Sequence, residues 1–380
     1  IEEYGDMKDW RNVVGTGPWV LTDLVEGSSL TLTKHPNYWS DDEKYPGNRL
    51  PYVDEFRVLV MPEPATRIAA LRTGKIDYAG APLSYPPALD SIDKVESLKR
   101  TNPEIVIWEH IVRMTSSFGL NTQRAPFDDI RVRKAMQMAL DLETLNETYF
   151  KGWGTWRPQG MIANHVPLAG TPFEEWPEEV KKGYRYDPAG AEELLDEAGY
   201  PRGADGIRFK AHLVWHDKQD LSHIELLAAT YYRDIGVDIE IEAVPGSEIL
   251  TRKTSRDFDA TNTLSADTGT WPPWNAMAQF EAGAKNNPAN VNDPVFDTML
   301  AAAEKVSTEE EQLLLVKEMN MYATERHWVV FAGTVIPWTS VTQPWVKGYN
   351  GELKLGGNQL EYTIAARLWI DSELKEAMGH

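Results

Sequence analysis

Between residues 207 and 244 the apolar positions change period twice. In "IRFKAHLVWH", Ile207, Phe209, Ala211, Leu213 and Trp215 alternate with polar residues, which predicts a strand. "HIELLAATYYRDIG" has helical spacing, and "VDIEIEAV" returns to alternation at Val237, Ile239, Ile241 and Ala243. Strand, helix and strand at this spacing make a βαβ unit, so a largely buried parallel or mixed sheet is expected here. Two further helices carry their own boundaries. "YDPAGAEELLDEAGYP" places Asp187 as N-cap and Pro188 at the first helical position; Gly199 and Pro201 end the helix after one apolar face of Ala191, Leu194, Leu195 and Ala198. "DDIRVRKAMQMALD" spaces Val132, Ala135, Met136 and Ala139 at i, i+3, i+4 and i+7. A long helical stretch from about 295 to 324 is expected to break near Ser307. Near the start, "WVLTDLV", the turn-forming "EGSS" and "LTLTKH" predict a β-hairpin.

The segment before that hairpin, "VVGTGPWVLTDLV", contains a Gly-x-Gly beside an apolar run, the kind of pattern that can cradle phosphate. A phosphate cradle needs free backbone N–H groups and a helix that starts at once. Here Gly17 is followed by Pro18, which has no N–H, and then by a strand. Neither a Walker lysine nor the later glycine of a dinucleotide fingerprint is present. The turn leads into a hairpin and gives no nucleotide site.

Composition narrows the function classes. The 380 residues suffice for two or three domains. With 42% hydrophobic and 25% charged residues the chain reads as globular. A net charge of −20 argues against nucleic acid, whose phosphates need a surplus of Lys and Arg. The absence of cysteine removes thiol catalysis, disulfides and Cys-based zinc sites. No apolar run reaches the length of a membrane span. His212 and His216 are four apart on a predicted strand, roughly 13 Å along it, too far to share one ion. No nucleophile elbow, HExxH or calcium-loop pattern occurs, so neither a metal nor a cofactor is expected.

Four segments then occur in order: "GTGPWVLTDLVEGSSLTLTKHPNYW", "PYVDEFRVLVMPEPATRIAALRTGKIDYA", "LNTQRAPFDDIRVRKAMQMALD" and "YDPAGAEELLDEAGY". Together they resemble the family 5 extracytoplasmic solute-binding proteins of ABC importers, the oligopeptide-, dipeptide- and nickel-binding group. The resemblance implies an α/β, two-lobed periplasmic-binding-protein-like architecture of type II, with lobes that close over a ligand like a hinge. It also implies residues 1–117 as part of lobe I, 118–338 as lobe II and 339–380 as the return to lobe I. Family chains carry a longer N-terminal stretch and an extra subdomain, so lobe I is expected to be incomplete here. The implied partners are a small-molecule or peptide ligand and an ABC permease. The implied location is extracytoplasmic, in the periplasm or lipid-anchored at the outer face of the cell membrane, and the expected state is a monomer.

In the peptide-binding relatives an Asp of lobe II pairs with the ligand's α-amino group. The matching residue in "FDATNTLSAD" is Asp267. A carboxylate on a buried ammonium makes a charge-assisted bond that strengthens in a dry cleft. A bland reading stands beside it: an Asp capping backbone N–H groups in the turn before "TGTWPPW". Fourteen tryptophans are unusual, and four lie in Gly/Pro-rich surroundings: Trp153 and Trp156 in "KGWGTWRPQG", Trp271 and Trp274 in "GTWPPWNA". Such rings either wall a ligand pocket, stacking on a sugar face or enclosing a side chain, or pack loops onto their lobe. Trp108, Trp215 and Trp328 fall in regular elements and are expected in the core. Phe118 and Asn121 fall where the resemblance puts the first crossing segment, with residues 331–336 as the second. Gly119 and Gly333 are the glycines there that suit a hinge, and Asn121 either faces the ligand or satisfies a strand end. Three functions follow: an oligopeptide-binding importer component first, an oligosaccharide-binding one second, and a two-domain hydrolase with paired carboxylates third.

Overall fold

A computed structural model describes residues 9–80, 88–110, 117–164, 166–217, 222–262, 273–332, 337–351 and 364–380. The chain divides into two compact units, residues 1–112 with 337–380, and residues 113–336.

The first unit opens with β1 (Trp19–Val25), β2 (Ser29–Lys34) and β3 (Glu55–Leu59), an antiparallel sheet in that order. The hairpin closes where the sequence puts it. Ser28 N–H donates to the Val25 carbonyl at 2.9 Å, and Gly27 supplies the positive φ of 69° that the turn requires. A second sheet places β4 (Tyr78–Gly80) and β5 (Val106–His110) on either side of β11 (Trp338–Thr342), a strand from the far end of the chain. Three polar anchors fix that return. Thr339 exchanges hydrogen bonds with the backbone of Leu89 at 2.7 Å, Gln343 Nε2 donates to the Leu71 carbonyl at 2.6 Å, and buried Trp345 Nε1 donates to Asp77 at 2.7 Å.

The second unit is built on a five-stranded mixed sheet. Its strands are β6 (Ser117–Leu120), β7 (Phe209–His216), β8 (Val237–Val244), β9 (Ala260–Asn262) and β10 (Val329–Phe331), in the order β10-β6-β9-β7-β8. The predicted βαβ unit is present: β7 and β8 run parallel, joined through the helix Ser222–Asp234. Asp187 caps the helix Pro188–Glu197 by accepting from Gly190 N–H at 2.9 Å. The long C-terminal helical stretch is two helices, Pro294–Ala303 and Glu309–Glu325, with the break across Ser307.

β10 shows how the sheet is buried on both faces. Val330 belongs to the core of Phe118, Leu120, Val132, Met136, Leu213 and Tyr232. Its neighbours Val329 and Phe331 point the other way, into the core of Met161, Trp176, Phe280, Phe296 and Trp328. Among the described residues no helix is long and apolar enough to cross a membrane.

Candidate functional site

Strand register places several chain ends on one edge of the second unit's sheet. Phe331, the last residue of β10, is opposite Ser117, the first of β6. Asn262, the last of β9, is opposite Phe118. His216 ends β7 opposite Val244, which ends β8. Thus β7, β8, β9 and β10 finish at this edge while β6 begins there. Both connections to the first unit, residues 111–116 and 333–336, leave from the same edge, as does the connection 263–272 from β9 to the helix Trp274–Ala278. In open α/β sheets ligands bind outside the carboxyl ends of the strands, where loops fan out and backbone N–H and C=O groups lack ladder partners. That edge is the candidate site.

The sequence-predicted residues distribute unevenly about it. Asp267 and Trp271 belong to the connection that leaves the edge, and Gly333 to one of the links between units; all three lie outside the described residues. Trp274 opens the helix Trp274–Ala278 just after that connection. It is half-buried and packs on the core that holds Met277 and Phe280. Trp156 is also half-buried, resting on the core beneath the sheet with Phe150, and the Arg157 guanidinium sits 5.6 Å above its ring. Trp153 is half-buried in the same loop, its N–H donating to the Phe150 carbonyl at 3.0 Å.

The three residues expected in the first crossing segment lie in and just after β6. Phe118 is buried and meets Tyr232 edge-on, with ring centroids 6.1 Å apart. Asn121 follows β6 at the opposite edge, roughly 13 Å along the strand from Ser117. Its amide bonds on both sides there: Nδ2 donates to the Phe258 carbonyl at 2.8 Å, and Oδ1 accepts from Gln123 N–H at 3.1 Å and Asn290 Nδ2 at 3.0 Å. Of its two sequence readings, these bonds match the satisfied strand end. Gly119 is paired on both sides, with Val329 and Thr261. A Cβ at Gly119 would run into the Pro288 carbonyl, so close packing of backbone on backbone accounts for the glycine. Trp108, Trp215 and Trp328 contribute to hydrophobic cores, as their periodicity implies.

Several polar groups are buried in the second unit. His327 is buried, stacked on Tyr184 at 4.5 Å, and held neutral. Burial, reinforced by the Lys134 and Arg133 charges, lowers its pKa to about 3. Burial likewise brings Arg133 down to about 10, while its guanidinium donates to the carbonyls of Phe127, Asp128 and Arg326 at 2.8–3.1 Å. Sequence reasoning missed His327, Arg133 and Gln137 as buried groups, because the partners that cover them include Tyr184, Arg326 and Phe331, which the fold brings in from far along the chain.

The family profile described as bacterial extracellular solute-binding proteins, family 5 Middle, matches residues 2–288, and the chain belongs to this family. It is 26% identical over 344 residues to heme-binding protein A of Haemophilus influenzae, covering 88% of this chain and 57% of that protein. It is 28% identical over 334 residues to the glutathione-binding protein GsiB of Salmonella typhimurium, covering 84% and 58%. The chain thus spans somewhat more than half the length of these curated relatives. Among solved structures it is similar to NikA from Brucella suis in complex with Fe(III)-EDTA, with a TM-score of 0.72 at 23% identity over 94% of this chain and 68% of that one. It is also similar to Haemophilus influenzae OppA in complex with the peptide RPPGFSPFR, with a TM-score of 0.66 at 19% identity over 97% and 67%. These likenesses establish the fold class, the two-lobed α/β fold of the type II binding proteins.

Proposed function

We propose that this protein is the substrate-binding component of a bacterial ABC importer, working outside the cytoplasm as a monomer without catalytic activity. Its ligand is peptide-like and is taken at the sheet edge from which residues 263–272 depart. The family match over residues 2–288 carries the reading, and the convergence of strand ends on that edge supports the choice of place. Asp267 is the group for the ligand's ammonium. Peptides and glutathione, the ligands named for several similar proteins, share a free ammonium that a carboxylate can pair with. The lobes are residues 1–117 with 339–380, and 118–338. Ligand binds the closed form better, and the permease reads that population shift.

Native mass spectrometry of gently purified protein tests the assignment, because slow release lets such binders retain ligand. A ladder of peptide masses, abolished by Asp267→Asn, is the expected result. Hexose-spaced masses that survive Asp267→Asn would replace the peptide by an oligosaccharide stacked on Trp153, Trp156, Trp271 or Trp274. Hydrolysed products in the retained fraction would reopen the enzyme reading.

A further inference from the structure

The first unit holds a cavity of about 620 Å³, within the size range of small-molecule sites. It lies entirely in that unit, on the loop after β2 and the C-terminal ribbon, and uses none of the residues considered above. Its chemistry is unlike that of the molecule as a whole. The chain carries a net charge of −20, yet the described lining sets Lys44, Lys347 and Arg367 against a single carboxylate, Asp42.

That carboxylate is already committed. Asp42 is 1% exposed and accepts from Tyr52 Oη at 2.7 Å, the Lys44 N–H at 2.8 Å and Arg367 Nε at 3.3 Å. Burial alone would raise its pKa, but these donors outweigh burial and keep Asp42 ionised below the usual carboxylate range. Asp42 therefore serves as an internal strut that orients Arg367 through one nitrogen, and among the described lining residues cations outnumber carboxylates.

Two large rings complete the walls. Tyr45 is 63% exposed and Trp369 is 44% exposed, unusual for residues that gain so much from burial. Trp369 is the direct register partner of Lys347 in the antiparallel ribbon of β12 (Val346–Lys347) and β13 (Trp369–Ile370), so the two side chains share one face, and Lys347 Nζ donates to the Pro344 carbonyl at 2.7 Å. Gly348, at φ 84°, lines the cavity too. A side chain there would strike the Arg367 carbonyl, so the backbone stays bare at this wall.

We propose that this cavity is a second ligand site, binding a small organic anion that carries a planar ring: the ring against Trp369 and Tyr45, the carboxylate or phosphate against Lys347 and Arg367. Fluorine NMR of the protein labelled with 5-fluorotryptophan tests it, with the Trp369 resonance assigned by Trp369→Phe. The probes are benzoate, phenyl phosphate and neutral benzyl alcohol. The anions are expected to shift the Trp369 signal saturably, with midpoints below about 1 mM, while benzyl alcohol leaves it in place. The tighter of the two anions identifies carboxylate or phosphate as the preferred head group. Lys347→Gln, on the half-buried strand β12, is expected to weaken the anions about fivefold with the other tryptophan signals unmoved. Equal response to benzyl alcohol, no saturation by about 20 mM anion, or indifference to Lys347→Gln would each overturn the proposal.

Discussion

His327 illustrates how much a single side chain depends on what surrounds it. In sequence it lies between "ATER" and the apolar run "WVVF". In the fold it is buried against Tyr184, with Gly183 leaving the space its ring occupies. An unfolded histidine takes up a proton near pH 6.5, whereas this one resists until about 3, first because of burial and then because of Lys134 and Arg133. Between those values the unfolded chain holds the extra proton. The stability linked to His327 is therefore complete above pH 6.5 and is lost as pH falls toward 3. Urea unfolding between pH 5 and 6.5, where most carboxylates remain ionised, should show a slope of about one proton, roughly 1.4 kcal/mol per pH unit at its steepest. His327→Asn, which tolerates the positive φ of 48°, should remove that slope. An unchanged slope would mean the ring is solvated.

Among elements, β10 is the instructive case. It is a three-residue strand at the edge of the sheet, and exposed strand edges invite unwanted pairing. Here the edge is satisfied by a helix. Gln137 Nε2 donates to the Phe331 carbonyl at 3.1 Å, and Phe331 N–H donates to Gln137 Oε1 at 2.8 Å. The amide imitates a neighbouring strand for one residue. Gln137→Leu fits the apolar surroundings yet strands two buried backbone groups, so it should cost about 2–4 kcal/mol in chemical denaturation. A loss below about 0.5 kcal/mol would show that water replaces the amide. The helix Ile130–Met138 was legible from its apolar spacing, but nothing in "RKAMQMALD" says that its glutamine faces inward. That information resides in a strand 194 residues away.

At the scale of the molecule, charge is the dominant global property. A net charge of −20 repels itself in the compact state more than in the expanded one. Local ion pairs offset part of this. Glu192 takes both Arg202 and Arg208 at 2.8–2.9 Å, and those bonds bring its pKa to about 2 despite some burial. The surplus stays unscreened at low ionic strength, where the Debye length exceeds about 10 Å. Raising sodium chloride from 10 mM to 0.5 M should therefore raise the melting temperature by about 2–4 °C in calorimetry. A fall would mean that attractive pairs outweigh the net repulsion.

Periodicity, caps and turn residues determined the local elements, because each depends on neighbours within a few positions. The hairpin at Gly27, the capped helix at Asp187 and the βαβ unit from Phe209 to Val244 were all readable in this way. The ordered segments that resemble family 5 identified the class for a related reason: they are contiguous runs of sequence. Tertiary structure alone decided what each of these residues touches. Asn121 bonds Phe258 and Asn290, and the backbone at Gly119 is packed close on Pro288. The cavity of Lys44, Lys347, Arg367 and Trp369 joins segments some 300 residues apart, and its Arg367 is oriented by a buried Asp42. Local rules act over one turn of helix or one strand pair, whereas burial and the pairing of charges belong to whatever the folded chain brings alongside.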